Sequence, residues 1–186
     1  TGVDLEKWRP GVGGSVLRRY GIRGRVLVAV GPLETSRGIE ELISAFAATI
    51  GQRDDWSLVL VGDGNGRRAL RTTTERLGIA SRVHWLLDID SHDLPSLLSA
   101  STLFVAPAKE DSPRVRPLLE AMASGLPILA SNVARYRWAV GDNESGLLVS
   151  TKQPGAWEEA LLRASSAPNA RERWGIASRA WALKYP

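Results

Sequence analysis

The sequence predicts an α/β fold in which a central parallel sheet of about six strands lies between two layers of helices. Short apolar runs alternate with longer helical patterns along the chain, and several runs are continuous stretches of Val, Leu and Ile. Such runs are typical of strands covered on both faces. The connections are short, which favours right-handed crossovers between parallel strands. Ligands of such sheets bind beyond the carboxyl ends of the strands, so the loops there are the candidate sites.

The predicted strands are the apolar runs, and the predicted helices are the periodic segments between and after them. The strands are Arg25–Val30, Ser57–Val61, Val83–Leu86, Leu103–Ala106, Pro127–Ala130 and Leu147–Val149. The helices are Gly38–Ile50, Gly66–Leu77, Ser91–Ala100, Pro117–Ser124, Ala134–Val140, Pro154–Ser165 and Ala170–Leu183. Residues 1–14 are interpreted as a loop that leads into the domain. No internal repeat or linker divides residues 1–186, which predicts a single domain.

The composition is that of an ordinary globular domain. Of the 186 residues, 44% are hydrophobic and 24% are charged, which is enough apolar material for a core. The chain has no cysteine, which excludes disulfides, thiolate metal sites and a cysteine nucleophile. Its two histidines are too few for a histidine-built metal site.

The charge pattern indicates which kinds of binding partner are expected. The formal net charge is +4, and arginine pairs such as Arg18-Arg19 are interleaved with acids, so nucleic-acid binding is disfavoured. A phosphorylated small ligand, or an anionic membrane surface near the site, explains the mild excess equally well. No apolar run reaches the length of a membrane span and no signal peptide opens the chain. The expected location is the cytoplasm, with peripheral binding at the inner face of the membrane as an alternative.

The stretch 110–127 is the most informative part of the sequence. A loop with carboxylates precedes a helix that is predicted to begin at Pro117 and to end before Gly125. Proline suits the first helical position, and glycine suits the residue past the end. The amides of a helix start bind anions, and Arg114 and Arg116 would add positive charge beside them.

Glu120 is predicted to lie in the first turn of that helix. Its carboxylate would repel an anion, so it is better interpreted as an acceptor for hydroxyl groups attached to the phosphates. A phosphate together with a polyol suggests a nucleotide sugar.

Two glycine turns follow the first two predicted strands. Gly31 would let a ligand approach the backbone, and Arg37 at the start of the next helix would reach a phosphate; a tight turn with a solvated arginine is the alternative. The turn Gly62–Gly66 is similar to a dinucleotide fingerprint, but its third glycine comes one residue early and Arg67 takes its place. Close approach to a base or sugar is one interpretation of this turn, and a helix start capped by Asn65 is the other.

Aromatic residues give weaker signals. His84 and Trp85 end the third predicted strand and are interpreted as ordinary packing residues, with stacking on a base as the alternative. The basic and aromatic segment 135–138 is explained by a helix face that packs against the sheet, or else by a position lining the cleft. Three tryptophans at roughly helical spacings are interpreted as core or inter-helix residues: Trp157, Trp174 and Trp181.

Taken together, these segments resemble the nucleotide-binding, C-terminal domain of the retaining glycosyltransferases of the GT-B fold, in the family-4-like group called glycosyl transferases group 1. The resemblance covers nearly the whole chain and implies a Rossmann-like three-layer sandwich. The motifs that carry it, in the order of the family, are Gly2–Pro10, Val30-Gly31 with Arg37-Gly38, Val61–Gly64, Arg82–Leu86, Leu118–Ser131 and Gly146–Val149.

The resemblance implies transfer of a sugar from a nucleoside diphosphate sugar, UDP- or GDP-linked, to a hydroxyl acceptor. The anomeric configuration would be retained, and neither a metal nor a further cofactor is expected. The acceptor, saccharide or lipid-linked, and often the catalytic base come from an N-terminal domain that is expected as the partner and is absent from residues 1–186. A non-catalytic nucleotide-sugar-binding module is the alternative function, and a dinucleotide-binding domain is a more distant one.

The resemblance also assigns roles to residues. Arg37 would hold the diphosphate, Glu120 would accept hydrogen bonds from the ribose hydroxyls, and Glu110 would reach the transferred sugar, with Asp111 and Ser112 as rivals. Arg37 and Glu110 are therefore the expected catalytic residues. The expected donor-binding residues are Gly31, Arg37, Gly62, Gly64, Trp85, Leu86, Glu110, Asp111, Ser112, Arg114, Val115, Arg116, Leu118, Leu119 and Glu120.

The chain departs from the family pattern at three positions. The family places arginine directly after the first-loop glycine, where this chain has Pro32, so Arg114 or Arg116 would have to substitute. The two family glutamates are separated by seven residues, and counting back from Glu120 in that way reaches Ser112. Pro117 has no N–H, so an anion there must rely on neighbouring amides.

Overall fold

The computed structural model describes residues 2–34, 38–109 and 114–185 of the chain. Within these ranges, six parallel strands form one sheet in the order β3-β2-β1-β4-β5-β6. The strands are β1 (Arg25–Val30), β2 (Trp56–Val61), β3 (Val83–Leu86), β4 (Leu103–Ala106), β5 (Ile128–Ser131) and β6 (Gly146–Val149). The predicted α/β, Rossmann-like three-layer sandwich is confirmed, and each predicted strand boundary is correct to within one residue.

Helices cover both faces of the sheet. They are α1 (Val16–Arg19), α2 (Ile39–Ala48), α3 (Arg67–Arg76), α4 (Asp93–Ala100), α5 (Arg116–Ala123), α6 (Ala134–Ala139), α7 (Ala156–Ser165) and α8 (Pro168–Lys184). Short 3₁₀ turns follow α2 at Ile50–Gln52 and precede β3 at Ala80–Arg82. Among the described residues, none of the helices combines the length and the apolar character needed to cross a membrane.

The strands divide their side chains between two hydrophobic cores. Val26 and Val28 of β1 face a core built with α1, α4, α5 and α6, whereas Leu27 and Ala29 face a core built with α2, α3 and α7. This alternation follows from the two-residue period of a strand. Because both faces are covered, the strands are almost entirely apolar, as the sequence pattern predicted.

The long helix α8 belongs to both layers. Trp174 near its start lies in the second core and Ala182 near its end lies in the first. Where α8 passes α5, a Cβ on Gly175 would lie 2.5 Å from the carbonyl oxygen of Gly125, so only glycine permits this close approach.

Arg179 on α8 connects the N-terminal loop to the end of α5. Its guanidinium donates to the carbonyl oxygens of Trp8 at 2.9 Å, Ala123 at 2.7 Å and Leu5 at 3.4 Å. Trp8 is buried, so the N-terminal loop is anchored to the domain at this residue.

Besides shifts of one or two residues at other helix ends, three details differ from the sequence predictions. The helix α5 begins at Arg116 rather than Pro117, and no acidic residue lies in its first turn, so Glu120 comes later than predicted. Asn65 does not cap α3, whose N-cap residue is Gly66. The short helix α1 was not predicted, since four residues carry too little periodicity to be recognised.

Candidate functional site

The strand order reverses between β1 and β4, where Leu27 pairs with Leu103 and Val28 with Phe104. In open parallel sheets the carboxyl ends of two such strands diverge and leave a crevice that binds ligands. A cavity of about 90 Å³ lies at this place. It is lined by the ends of β1 and β4 and the loops that follow them, and by α5 and α6: Val30, Gly31, Pro32, Pro107, Arg114, Pro117, Leu118 and Tyr136.

The first glycine turn leaves its backbone open toward this crevice. Gly31 has φ +149°, and a Cβ at this position would meet nothing within 4 Å. The following residue, Pro32, also lines the cavity. The backbone at Gly31 therefore has open space beside it, and its contact with a donor stays a prediction.

The second glycine turn packs against the first one. The N–H of Leu33 donates to the carbonyl oxygen of Asp63 at 3.1 Å, and the N–H of Gly66 donates to Leu33 at 2.8 Å. A Cβ on Gly62 would collide with the carbonyl oxygen of Gly31, and one on Gly64 would lie 2.5 Å from that of Leu33. These glycines are explained by contact between the two loops, and their contact with a donor stays a prediction.

Glu120 is buried, with 8% of its surface exposed. Arg116, one turn earlier on α5, donates its Nε–H to Glu120 Oε1 at 2.9 Å, and the side chain of Arg116 is 78% exposed. Burial raises the pKa of the Glu120 carboxyl above its ordinary value, while Arg116 and, more weakly, Lys7 pull that pKa back down. Arg116 thus bonds Glu120 through its Nε–H, and its contact with an anion stays a prediction. Of the two arginines considered for the anion site, Arg114 lines the crevice and Arg116 does not.

The remaining α5 residues of the predicted site are divided between crevice and core. Leu118 lines the crevice. Leu119 is buried in the first core, and Val115 is partly buried against that core and forms the N-cap of α5. The first-turn amides of a helix have no partner inside the helix, and two residues of this first turn, Pro117 and Leu118, line the crevice.

Tyr136 is a crevice residue that the sequence did not place in the site. It is 4% exposed and reaches the cavity from α6. The basic and aromatic segment 135–138 was a signal, and lining the cleft was its second interpretation. Tyr136 alone of that segment lines the crevice, whereas Trp138 is 61% exposed and packs edge-on against Trp181, with ring centroids 4.9 Å apart.

Trp85 and Leu86 point to opposite sides of the sheet. Trp85 is half-buried against the second core, with the guanidinium of Arg71 5.5 Å from its ring. Leu86 packs against the first core, and its carbonyl oxygen accepts the N–H of Gly62 at 2.9 Å. His84 is partly buried, which lowers its pKa. Ordinary packing accounts for Trp85, and its contact with a base stays a prediction.

Arg37, Glu110, Asp111 and Ser112 lie outside the described residues, so their predicted roles are not tested by the structure. Over the ranges 2–34, 38–109 and 114–185, no group of three or more His, Asp or Glu side chains is arranged to hold a metal ion. The expectation that no metal takes part stays a prediction.

Comparison with known proteins identifies a family model that matches the chain. The family model described as glycosyl transferases group 1 matches residues 21–181. A D-inositol 3-phosphate glycosyltransferase of Salinispora tropica is 34% identical over 180 residues, which cover 87% of this chain and 37% of that protein. The chain thus spans less than half the length of the curated relatives that it matches.

Two solved structures share the fold. The C-terminal domain of a glycosyl transferase group 1 family protein from Francisella tularensis matches with a TM-score of 0.86 and 22% identity, over 99% of this chain and 98% of that one. HepE of Anabaena, solved with UDP and glucose, matches with a TM-score of 0.86 and 22% identity, over 99% of this chain and 51% of that one.

Proposed function

The chain belongs to the glycosyl transferases group 1 family, and we propose that it binds the nucleotide-sugar donor of a retaining glycosyltransferase. In the proposed reaction the bond between the anomeric carbon and the diphosphate breaks, and a bond to an acceptor hydroxyl forms on the same face of the sugar. The acceptor, saccharide or lipid-linked, would be bound mainly by an N-terminal domain of the same protein. Neither a metal nor a further cofactor takes part in this proposal.

The observation that carries the proposal is the crevice at the reversal of strand order. It combines open backbone at Gly31 with the first turn of α5 and the guanidinium-bearing Arg114. Backbone amides, a helix start and an arginine together form a site for a diphosphate. Since Gly31 and α5 belong to segments that follow different strands, the fold itself brings these groups together.

In the proposed mechanism negative charge grows on the departing diphosphate. The amides at the start of α5 and the cation of Arg114 would stabilise that charge without reorganising, and groups fixed in this way supply much of the rate enhancement of many enzymes. Arg37 would add a second cation from the loop after β1. Glu110, or else Asp111 or Ser112, would contact the transferred sugar from the loop before α5.

Glu120 would bind the ribose. An ionised carboxylate can accept several hydrogen bonds, and Arg116 takes only one position on Oε1. Hydroxyl donors satisfy a buried carboxylate without adding another charge, which suits a group that is already desolvated.

Titration calorimetry with UDP, GDP, ADP and NAD tests the proposal. We expect saturable binding of a nucleoside diphosphate, with UDP as the first choice because HepE was solved with UDP and glucose. Saturable binding of NAD, with no response to any of the three diphosphates, would instead support a dinucleotide-binding domain and overturn the proposal.

Catalysis requires a second experiment. The chain joined to its N-terminal half is assayed for donor hydrolysis and sugar transfer with a radiolabelled donor. We expect turnover with retention of configuration. Donor binding without turnover would favour the alternative of a binding module, for which Pro32 in place of the family arginine is the motivating observation.

A further inference from the structure

We propose that Ser131 and the ion pair Lys109–Glu41 are positioning residues that fix the loop after β4 against α2 and β5. This loop, residues 107–109, is called the β4 loop below. The inference rests on the proposed function and deepens it, because it assigns residues that would set the donor's sugar site without touching the donor.

Ser131 holds the β4 loop from the end of the neighbouring strand. Its hydroxyl oxygen accepts the N–H of Ala108 at 2.8 Å, and both residues are buried, with Ser131 1% exposed. A buried amide that loses its acceptor keeps the full cost of desolvation, so this bond specifies one position of the loop.

The first turn of α2 holds the same loop from the other side. Lys109 Nζ lies 3.0 Å from Glu41 Oε1, and both side chains are 50% exposed. Gly38, the N-cap of α2, packs directly against the loop, since a Cβ there would lie 3.4 Å from the nitrogen of Ala108. The helix that follows the first glycine turn and the β4 loop are therefore in direct contact.

This contact joins the two walls of the crevice. One wall is the turn at Gly31 and Pro32, which leads to α2, and the other includes Pro107 and Arg114, on either side of the loop before α5. The β4 loop continues directly into Glu110, which the proposed function places against the transferred sugar, with Asp111 and Ser112 as rivals. A loop that is free to shift would weaken contacts with the sugar more than contacts with the nucleotide, because it leads into the residues that are proposed to contact the sugar.

The main test compares Ser131→Ala with Ser57→Ala. Ser57 is also buried, at 3% exposure, and its hydroxyl also bonds to a backbone group, the carbonyl oxygen of Arg23 at 2.7 Å, but it lies at the amino end of β2. Affinities for UDP-glucose and UDP are measured by calorimetry, or for GDP-mannose and GDP if guanine nucleotides are the ones that bind. We expect Ser131→Ala to weaken binding of the sugar nucleotide about fivefold to tenfold and binding of the diphosphate less than about twofold. Ser57→Ala should change neither affinity.

Equal behaviour of the two serine variants, with wild-type binding intact, would overturn this inference alone. If the wild-type chain binds no nucleotide sugar, the proposed function fails first, so the two failures are distinguishable.

The ion pair provides a second test that does not depend on a buried substitution. Glu41→Lys and Lys109→Glu should each lower the affinity for UDP-glucose, relative to that for UDP, by about two- to threefold at low salt. The double reversal, which carries both substitutions, should restore the affinity. Because both positions are half exposed, all three variants are expected to fold. A double reversal that stays as weak as the singles would remove the ion pair from the inference.

Discussion

Glu120 is buried on α5, while its ion-pair partner Arg116 extends into solvent. An exposed cation recovers only part of the solvation that a buried carboxylate loses. The folded state therefore favours the protonated form of Glu120, and the pKa of its carboxyl is raised. Between the ordinary and the raised pKa the folded chain holds more protons than the unfolded chain, so this residue lowers stability as the pH rises through that window. Above the raised pKa this carboxyl therefore lowers the stability of the fold, and we propose that it serves ligand binding instead.

Substituting Glu120 by Gln should separate stability from binding. We expect Glu120→Gln to be as stable as the wild type or more stable at neutral pH, with the difference disappearing in acid, where Glu120 is protonated in both states. Affinity for the nucleoside diphosphate should fall by about 1–3 kcal/mol, because charged hydrogen bonds to the ribose are lost. Chemical denaturation across pH and calorimetry measure the two quantities. Unchanged affinity in the folded variant would remove Glu120 from the site.

The wild-type affinity should also depend on pH through the same carboxyl. Since hydroxyl donors favour the ionised form, nucleotide binding is expected to weaken as the pH falls through the raised pKa of Glu120. Glu120→Gln should lack this part of the pH profile. A profile of identical shape in both proteins would contradict the ribose role.

Substitution of Tyr136 tests whether the nucleotide-sugar donor binds in the cavity of the crevice. Removal of the phenol oxygen in Tyr136→Phe should weaken nucleotide-sugar binding by about 1 kcal/mol if the hydroxyl donates to the donor. Tyr20→Phe is the matched control, because Tyr20 donates its hydroxyl to Asp93 at 2.8 Å, and neither residue lines the crevice. The control should lose stability and keep its affinity. Equal affinities for both variants would leave Tyr136 a packing residue.

At the scale of elements, the two glycine turns act as one unit. The first turn presents open backbone to the crevice, and the second supports it from behind through main-chain hydrogen bonds. Glycine is needed in the second turn chiefly because the two backbones approach so closely.

We expect Gly62→Ala to destabilise the chain by about 2–3 kcal/mol, since φ is +124° and the added carbon meets the carbonyl of Gly31. The displaced first turn should also bind nucleotide less well. Gly78→Ala serves as the control, because Gly78 has φ +72° but open space around it. It should lose only about 1 kcal/mol and keep full affinity. Urea titrations measure the stability of both variants, and calorimetry measures their affinity for nucleotide.

The sequence predicted the strands well because burial on both faces leaves an uninterrupted apolar run. The sequence predicted the start of α5 one residue late. Pro117 was assumed to be the first helical residue, whereas Arg116 is the first and Pro117 the second. The loop-to-loop contact at Gly62 could not be predicted, since nothing in a local pattern says which backbone a glycine will meet.

The candidate site likewise combines residues that the sequence predicted with residues that it did not. Gly31, Arg114 and Leu118 were predicted to bind the donor from motif position; they line the crevice, and their contact with a donor stays a prediction. Tyr136 comes from a helix after a different strand, and only the order of strands in the sheet brings it there. Arg116 was assigned to an anion by proximity in sequence, and that role stays a prediction. Its spacing of four residues from Glu120 on a helix places its Nε–H on that carboxylate, a contact that was not predicted.

At the scale of the whole molecule, Arg179 joins parts of the chain that are far apart in sequence. It bonds three carbonyl groups, two in the N-terminal loop and one at the end of α5. The same helix that closes the fold therefore also holds its first residues in place.

We expect Arg179→Met to lower the free energy of unfolding by about 1–3 kcal/mol and to expose residues 2–14 selectively. Arg171→Met is the control, since Arg171 also bonds two carbonyls, those of Ala164 and Ser165, but far from the N-terminal loop. Hydrogen exchange read by mass spectrometry should show faster exchange near Trp8 only in the Arg179 variant. Similar exchange patterns in both variants would argue that Arg179 has no specific role in holding that loop.

The reversal of strand order has a consequence for biosynthesis. While the polypeptide emerges from the ribosome, β1, β2 and β3 can assemble from neighbouring segments, but β1 has to wait for β4, because Leu27 pairs with Leu103. During that interval the bare edge of β1, a largely apolar strand, is available to other nascent chains. We therefore expect that variants which delay β4, rather than those which weaken β3, accumulate as inclusion bodies on overexpression.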